Sequence, residues 1–433
     1  MPEKNEPYRI GIAGLGTVGA GVIKLLQDNA TLIEQRAGRP IEVVSVTASN
    51  KNKDRGVDLS SYEWAETLDD MAGNPALHAV IELIGGSDGD AKKLVEDALK
   101  QGKSVVTANK ALLAHHGFDL AKLAEENIVT LAYEAAIAGG IPIVKVLREG
   151  LSANQIESLY GILNGTCNYI LTEMRETGRN FDDVLKEAQE MGYAEADPTF
   201  DVDGIDAAHK LVLLGALAFG VKPDFDSLDI QGIRHITSED IEYADELGYR
   251  IKLLGMAQRV GEKIVQSMEP CLVPVKSALG NVEGVFNAVL TEGNFVDKTM
   301  MEGRGAGAGP TASSVVADII DLAKGNGLQT FGVAASALKQ PQWDDPDNMV
   351  KPCYIHMRVE DKSGVLADIT SCLKNENVSI DSFIQRGHKK DGSASIAIMT
   401  HEAQISAVKR AIDKISELGC LLDKPTLLRV ENM

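Results

Sequence analysis

Gly14-Leu15-Gly16-Thr17-Val18-Gly19 follows the apolar run Tyr8–Ala13 and opens the helix-patterned run Val18–Gln27. The spacing is GxGxxG, and it sits between a strand and a helix, the context in which it binds a dinucleotide pyrophosphate. Gly14 permits the tight turn, Gly16 lets the backbone approach the pyrophosphate, and Gly19 lets the helix pack close to the strand. The amides and dipole at the start of the helix then favour an anion. Gly14, Gly16, Thr17, Val18 and Gly19 are therefore the expected cofactor-binding positions. A glycine turn with no ligand is the plainer alternative, and the sequence downstream weighs against it.

Downstream, Glu42–Ala48, Ala79–Leu83, Ser104–Thr107 and Val129–Ala132 read as further apolar strands. Ala91–Lys100 and Leu112–Glu126 read as helices between them. Near-continuous apolar strands alternating with helices indicate a parallel sheet covered on both faces. Residues 1–133 are thus expected to form a Rossmann-type α/β domain. A second glycine loop, Gly303–Gly309, precedes a helix at Thr311–Ala323, and residues 305–335 are expected to complete that domain. Residues 134–304 open on glycines at Ala138–Gly140 and then mix strands and helices, as an α+β domain does. The proline- and charge-bearing stretch within 336–351 reads as a linker.

The remaining segment, 352–431, looks self-contained. Tyr354–Val359, Ser379–Gln385, Ala394–Thr400 and Thr426–Val430 read as strands, and Val365–Lys374 and Glu402–Glu417 as helices. Lys389–Gly392 ends in Asp-Gly, a hairpin signal. The order βαββαβ is ferredoxin-like.

The formal net charge is −20 with no basic stripe, which argues against a nucleic-acid partner. No apolar run reaches the roughly 18 residues of a membrane span, and the polar start Met1–Tyr8 does not look like a secretory signal. The five cysteines are scattered without CxxC spacing, as expected of reduced thiols in a cytoplasmic protein rather than a disulfide framework or zinc site.

Cofactor choice should be made after the second strand, where NAD sites usually carry Asp or Glu for the ribose. This chain reads Ala48-Ser49-Asn50-Lys51-Asn52-Lys53-Asp54-Arg55. Lys51, Lys53 and Arg55 either meet a 2′-phosphate or form a solvated basic loop. The reading favours NADP(H), with NAD(H) tolerated.

Two stretches carry candidate chemistry. Lys110, in Thr107-Ala108-Asn109-Lys110, follows the carboxyl end of a strand, where open parallel sheets bind ligands. It is either a group near cofactor and substrate or a surface lysine. Asp206 and Lys210 lie i, i+4 on the apolar helical run from Ile205 to Phe219. They form either an exposed ion pair or a desolvated pair. Desolvation would lower the lysine pKa and suit proton exchange near neutral pH. His209, pointing elsewhere, reads as packing.

Several of these motifs together resemble the homoserine dehydrogenases. Gly161–Leu171 (GILNGTCNYIL) looks like that family's NGTxN(Y/F)IL segment. Gly192–Pro198 resembles its G-(Y/F)-A-E-x-D-P signature, and Asp201–Lys210 its D-x-x-G-x-D-x-A-x-K signature. Thr107–Lys110, Glu134–Pro142 and Arg304–Pro310 match as well. Glu360–Leu366 resembles the first loop of an ACT domain. No aspartate-kinase segment precedes the motifs, so the likeness is to the monofunctional members. Two stretches depart from the family pattern. Ser87-Asp88-Gly89-Asp90 stands where a proline is commoner, and Lys362-Ser363-Gly364 where Arg-Pro-Gly is frequent.

The resemblance implies reversible NAD(P)H-dependent reduction of L-aspartate 4-semialdehyde to L-homoserine, in threonine, methionine and isoleucine biosynthesis. It implies Lys210 as proton donor and acceptor, assisted by Lys110, with Glu195 and Asp206 holding the substrate. It adds Lys51, Lys110, Gly192 and Gly309 to the dinucleotide site. It also implies a sodium ion at Glu134 with the carbonyls of Ile137, Gly139 and Ile141. Residues 134–304 become the catalytic and dimerisation domain of a homodimer or homotetramer. The ACT domain becomes a sensor, with threonine as the first candidate effector, or else a mere dimerisation element. Another NADP-dependent amino-acid dehydrogenase and an inactive amino-acid-sensing protein are the competing functions.

Overall fold

A six-stranded parallel sheet is built from Tyr8–Ala13, Ile41–Thr47, Glu63–Trp64, Ala79–Glu82, Ser104–Thr107 and Leu131–Ala132. Numbered in chain order, the strands lie 3-2-1-4-5-6, the doubly wound order whose reversal point sits at the first strand. This computed structural model describes residues 6–386 and 392–433. Two compact units divide the chain: residues 1–165, 206–228 and 285–341 form one, and residues 166–205, 229–284 and 342–433 the other. Among the described residues, no helix is long and apolar enough to cross a membrane.

In the first unit, Ile10, Ile12, Ile81 and Val106 are fully buried between helices on both faces. Burial on both sides is why these strands carry apolar side chains almost without alternation. The Thr17–Asp28 helix packs against Ala308–Lys324, whose Ala312, Val315 and Ile319 join the same core. The contact is close: a Cβ at Gly21 would lie 2.8 Å from the Ala308 carbonyl oxygen. The unit also holds an antiparallel sheet of Asp297–Arg304, Phe286–Gly293 and Ile156–Ile162, and the apolar helix Ile205–Phe219.

In the second unit, the long antiparallel hairpin Tyr249–Val260 and Lys263–Pro274 runs beside the βαββαβ segment. There Thr426–Val430, Cys353–Glu360, Ser393–Thr400 and Ile380–Arg386 lie in that spatial order. The helices Val365–Asn375 and Ile405–Glu417 share one core with this sheet, including Ile355, Ile369, Ile396 and Val408. This is the ferredoxin-like arrangement. The turn expected at Lys389–Gly392 lies, apart from Gly392, outside the described residues.

Element ends differ from the expectations where side chains cap or pair. The helix after the fourth long strand starts at Lys110, two residues early, because the Asn109 side chain accepts the Leu112 amide at 3.1 Å. The last helix starts at Ile405 rather than Glu402, because Ala403–Gln404 pairs with Val350–Lys351. Glu63–Trp64 is too short for any period to reveal.

The glycine loop has distinct spatial demands at each position. Gly14 adopts φ +98°, and a Cβ there would lie 2.4 Å from the Leu83 carbonyl oxygen. Around Gly16 nothing lies within 4 Å of a built Cβ. Gly14→Ala is therefore expected to lose roughly 1–3 kcal/mol, through left-handed strain and backbone overlap. Gly16→Ala should shift the urea midpoint far less. Equal losses in the two variants would contradict this reading of the loop.

Candidate active site

The carboxyl ends of Ala79–Glu82 and Ser104–Thr107 are locked together by one buried carboxylate. Glu82 has no exposed surface. Its Oε1 accepts the amides of Ile84 at 2.7 Å and Gly85 at 3.0 Å, and its Oε2 accepts the Thr107 hydroxyl at 2.5 Å. Thr107 Oγ1 in turn accepts the Asn109 amide at 3.0 Å, and Asn109 Nδ2 donates to the Gly86 carbonyl at 2.7 Å. Gly85 and Gly86 both take positive φ, so this loop needs such ties to hold one shape.

This network fixes the start of the Lys110–Glu126 helix, and Lys110 reaches from it to Asp206. The Lys110 Nζ lies 3.1 Å from Asp206 Oδ1. Lys210, one turn along the Ile205–Phe219 helix, donates to Asp206 Oδ2 at 2.6 Å and to the Leu163 carbonyl at 2.7 Å. Asn164 Nδ2 donates to the same Oδ2 at 2.9 Å. Of the two open readings of the i, i+4 pair, the desolvated one holds: both side chains are only 9% exposed. Lys110 is no free surface lysine. Burial alone would raise the Asp206 pKa, but the ammonium groups of Lys210 and Lys110 and the hydrogen bonds from Lys210 and Asn164 hold it well below the usual carboxylate range. Two cations and one anion leave the cluster with a formal charge of +1.

His209 packs as expected. Its ring stacks on Phe225, with centroids 4.3 Å apart, and meets His115 edge-on at 5.4 Å. Burial first, then His115 and Lys110, press its pKa down to about 4, so it is neutral and no rival for the acid–base role.

The other expected site residues fall as follows. Gly16, Thr17, Val18 and Gly309 belong to the first unit, with Gly16 capping the Thr17–Asp28 helix and Gly309 in the first turn of Ala308–Lys324. No atom lies within 4 Å of a Cβ built at either glycine, while one at Gly19 would lie 2.1 Å from the Gly14 carbonyl oxygen. The loop thus has two glycines, Gly14 and Gly19, where the backbone packs closely and one, Gly16, facing open space, which fits a pyrophosphate resting on the helix N-terminus. Arg55 Nε donates to the Leu15 carbonyl at 3.0 Å, tying the basic loop to the glycine loop. Lys51 is exposed, pairs with Glu66 at 3.1 Å and lies 5.4 Å from the Trp64 ring centroid. Gly192 and Glu195 lie in the second unit; Gly192 takes φ +74°, and the Glu195 side chain is exposed.

Glu134 is buried, and its two oxygens accept the amides of Val144 at 2.9 Å and Lys145 at 2.8 Å. Burial, reinforced by Asp318, pushes its pKa up to about 7. The Gly139 carbonyl accepts the Ser314 hydroxyl at 2.5 Å, and the Ile141 carbonyl accepts the Ile143 amide at 2.8 Å. Among the described residues no group of three or more His, Cys, Asp or Glu is placed to hold a metal. A carboxylate and main-chain carbonyls are hard oxygen donors, of the kind hard cations take and unlike a zinc set.

Reading the sequence did not single out Glu82 or Asn164. The signal for Glu82 was present: a lone charge closing the apolar strand Ala79-Val80-Ile81. For Asn164 the family-like motif was visible, but the side chain's partner was not.

The Asp206 cluster gives a pH-dependent stability. Replacing Asp206 by Asn leaves two poorly hydrated ammonium groups without their anion, which should cost about 3 kcal/mol at neutral pH. The folded-state pKa is depressed, so Asp206 contributes fully above the unfolded carboxylate value of about 4. The contribution fades as pH falls through the lower folded value. Urea unfolding should therefore show a wild type–variant gap that is wide at pH 7 and narrows below pH 4. A gap that stays constant would mean Asp206 is not the anion of the cluster.

Comparison with known proteins agrees with this geometry. Family models described as "Homoserine dehydrogenase, NAD binding domain", "Homoserine dehydrogenase" and "ACT domain" match residues 14–134, 142–320 and 354–420. The homoserine dehydrogenase of Neisseria gonorrhoeae is 44% identical, with 99% of each chain covered. The crystal structure of a homoserine dehydrogenase from Thiobacillus denitrificans superposes with a TM-score of 0.93 at 43% identity, again over 99% of each chain. A hyperthermophilic archaeal homoserine dehydrogenase, solved in complex with NADPH, gives a TM-score of 0.62 at 27% identity over 73% of this chain and 97% of its own. With its doubly wound sheet, its buried lysine–aspartate–lysine cluster and full-length likeness to these relatives, this chain belongs to the homoserine dehydrogenase family.

Proposed function

We propose that the chain reduces L-aspartate 4-semialdehyde to L-homoserine, reversibly, with Lys210 as the acid–base group. The observation that carries this is the pairing of Lys210 and Lys110 on one buried Asp206 beside the carboxyl ends of the parallel strands. The nicotinamide cofactor, when bound, supplies the hydride. Lys210 then protonates the alkoxide oxygen from Nζ, and in reverse takes the proton from the hydroxyl. The net positive charge of the cluster stabilises that oxygen as it becomes anionic. Lys110 assists by adding the second cation from the turn after Ser104–Thr107. Asp206 holds both ammonium groups and serves the hydroxyl end of the substrate, while the exposed Glu195 takes the substrate's ammonium group.

The cofactor reading is NADP(H), with NAD(H) tolerated. Gly14, Gly16, Thr17, Val18 and Gly19 cradle the pyrophosphate, Lys51 meets the 2′-phosphate, and Lys110, Gly192 and Gly309 complete the site. The missing carboxylate after Thr47 and the cationic loop that Arg55 ties to Leu15 support it. So does the NADPH in the archaeal relative. Residues 1–133 with 305–335 form the dinucleotide domain, 134–304 the catalytic and dimerisation domain, 336–351 the linker, and 352–431 the sensor. Sodium bound by Glu134 and the carbonyls of Ile137, Gly139 and Ile141 has a structural role. The working form is a cytoplasmic homodimer or homotetramer, inhibited by threonine through the ACT domain.

Steady-state kinetics test the reading. Lys210→Ala should lose roughly 100- to 10,000-fold in turnover. Its affinity for NADPH, read by fluorescence titration, should stay near that of the wild type. The wild type should use NADPH more efficiently than NADH. Near-normal turnover in the variant, or reduction of other aldehydes in preference to the semialdehyde, would overturn the proposal.

A further inference from the structure

The loop after the Phe181–Glu190 helix carries two residues with proposed roles, Gly192 for the cofactor and Glu195 for the substrate's ammonium group. Its two halves are held by different atoms. The first half is tied by main-chain bonds to the end of the helix. The Gly192 amide donates to the Gln189 carbonyl at 3.1 Å, and the amides of Tyr193 and Ala194 donate to the Ala188 carbonyl at 2.8 and 3.1 Å. With Gly192 at φ +74°, this is the left-handed ending that satisfies the last carbonyls of a helix. The Thr166 hydroxyl adds a bond to the Tyr193 carbonyl at 2.7 Å.

The second half is tied by a side chain. Gln189 Nε2 donates to the Glu195 carbonyl at 3.0 Å and to the Ala196 carbonyl at 3.3 Å. Gln189 is half-buried on the helix, whereas Glu195, Ala196 and Asp197 are exposed. A carboxylate on an exposed loop has many positions open to it, and ordering it on binding costs conformational entropy. One amide that bridges two consecutive carbonyls removes part of that freedom beforehand.

We infer that Gln189 is a positioning residue for the substrate, on the reading that Glu195 takes the substrate's ammonium group. It fixes the main chain that bears Glu195 and so presents that carboxylate in one place. The cofactor half of the loop does not depend on the Gln189 side chain, because main-chain bonds and Thr166 hold it. Lys210, Lys110 and Asp206 lie on other elements. Losing Nε2 should therefore weaken substrate binding and leave both cofactor binding and the chemical step intact.

Steady-state oxidation of L-homoserine by the full-length protein tests this, with Gln189→Met, Glu195→Gln and the double variant. Methionine keeps the length and helix propensity of glutamine but has no N–H donor. Gln189→Met should raise the KM for L-homoserine roughly two- to tenfold, as loss of a hydrogen bond does. Its kcat, its KM for NADP+ and its melting temperature should stay near those of the wild type, the pattern of a lost binding interaction. Glu195→Gln should raise the same KM, and adding Gln189→Met to it should change little further, because Gln189 acts through Glu195. An unchanged KM in Gln189→Met beside a raised one in Glu195→Gln would overturn the inference alone. So would effects that multiply in the double variant, or a lowered melting temperature with both KM values and kcat shifted together. No effect of Glu195→Gln would overturn the reading of Glu195, and the inference with it.

Discussion

Two ammonium groups share one buried carboxylate at Asp206, and most of the first unit can be understood as what holds that arrangement in place. A carboxylate withdrawn from water is costly unless cations and hydrogen bonds surround it. Lys210, Lys110 and Asn164 do so from three different segments of the chain. The cluster carries one positive charge in excess. A polar group that stabilises a developing oxyanion is most effective when it is already oriented and poorly hydrated. On the proposed reaction, the structural and the chemical demands would be met by the same atoms.

The arrangement depends on a frame of a different kind. Among the described residues Glu82 pairs with no cation and is satisfied by two amides and a hydroxyl. It couples the ends of two neighbouring strands, and through Thr107 and Asn109 it fixes the turn from which Lys110 emerges. The doubly wound sheet explains why this happens at carboxyl ends: in a parallel sheet the loops that leave those ends converge at the reversal of strand order. The glycine loop lies at the same end of the sheet, with Gly14 pressed against Leu83 and Gly16 facing open space.

Much of this was legible in the sequence, for identifiable reasons. Strands buried on both faces declare themselves by uninterrupted apolar runs, as Ala79-Val80-Ile81 does. GxGxxG fixes the position of the first turn, and the Asp206–Lys210 spacing places both groups on one helical face. What stayed hidden depended on distant partners. Whether Asp206 and Lys210 were buried could not be decided until Lys110 and Leu163 were seen beside them. Glu82 stood out as a lone charge, but its role stayed hidden because its partners are main-chain amides and a threonine 25 positions away. The start of the last helix was displaced by a two-residue strand that pairs with Val350–Lys351, a contact without local pattern.

The account rests on the Lys210 ammonium being the proton donor and acceptor, and chemical rescue tests this most directly. In Lys210→Ala the side chain leaves a space beside Asp206 and the Leu163 carbonyl that a small amine can enter. Adding methylamine or ethylamine should restore part of the lost turnover, in proportion to the concentration of the ammonium form and without changing NADPH affinity. A folded variant that binds NADPH but gains nothing from any amine would contradict the central claim.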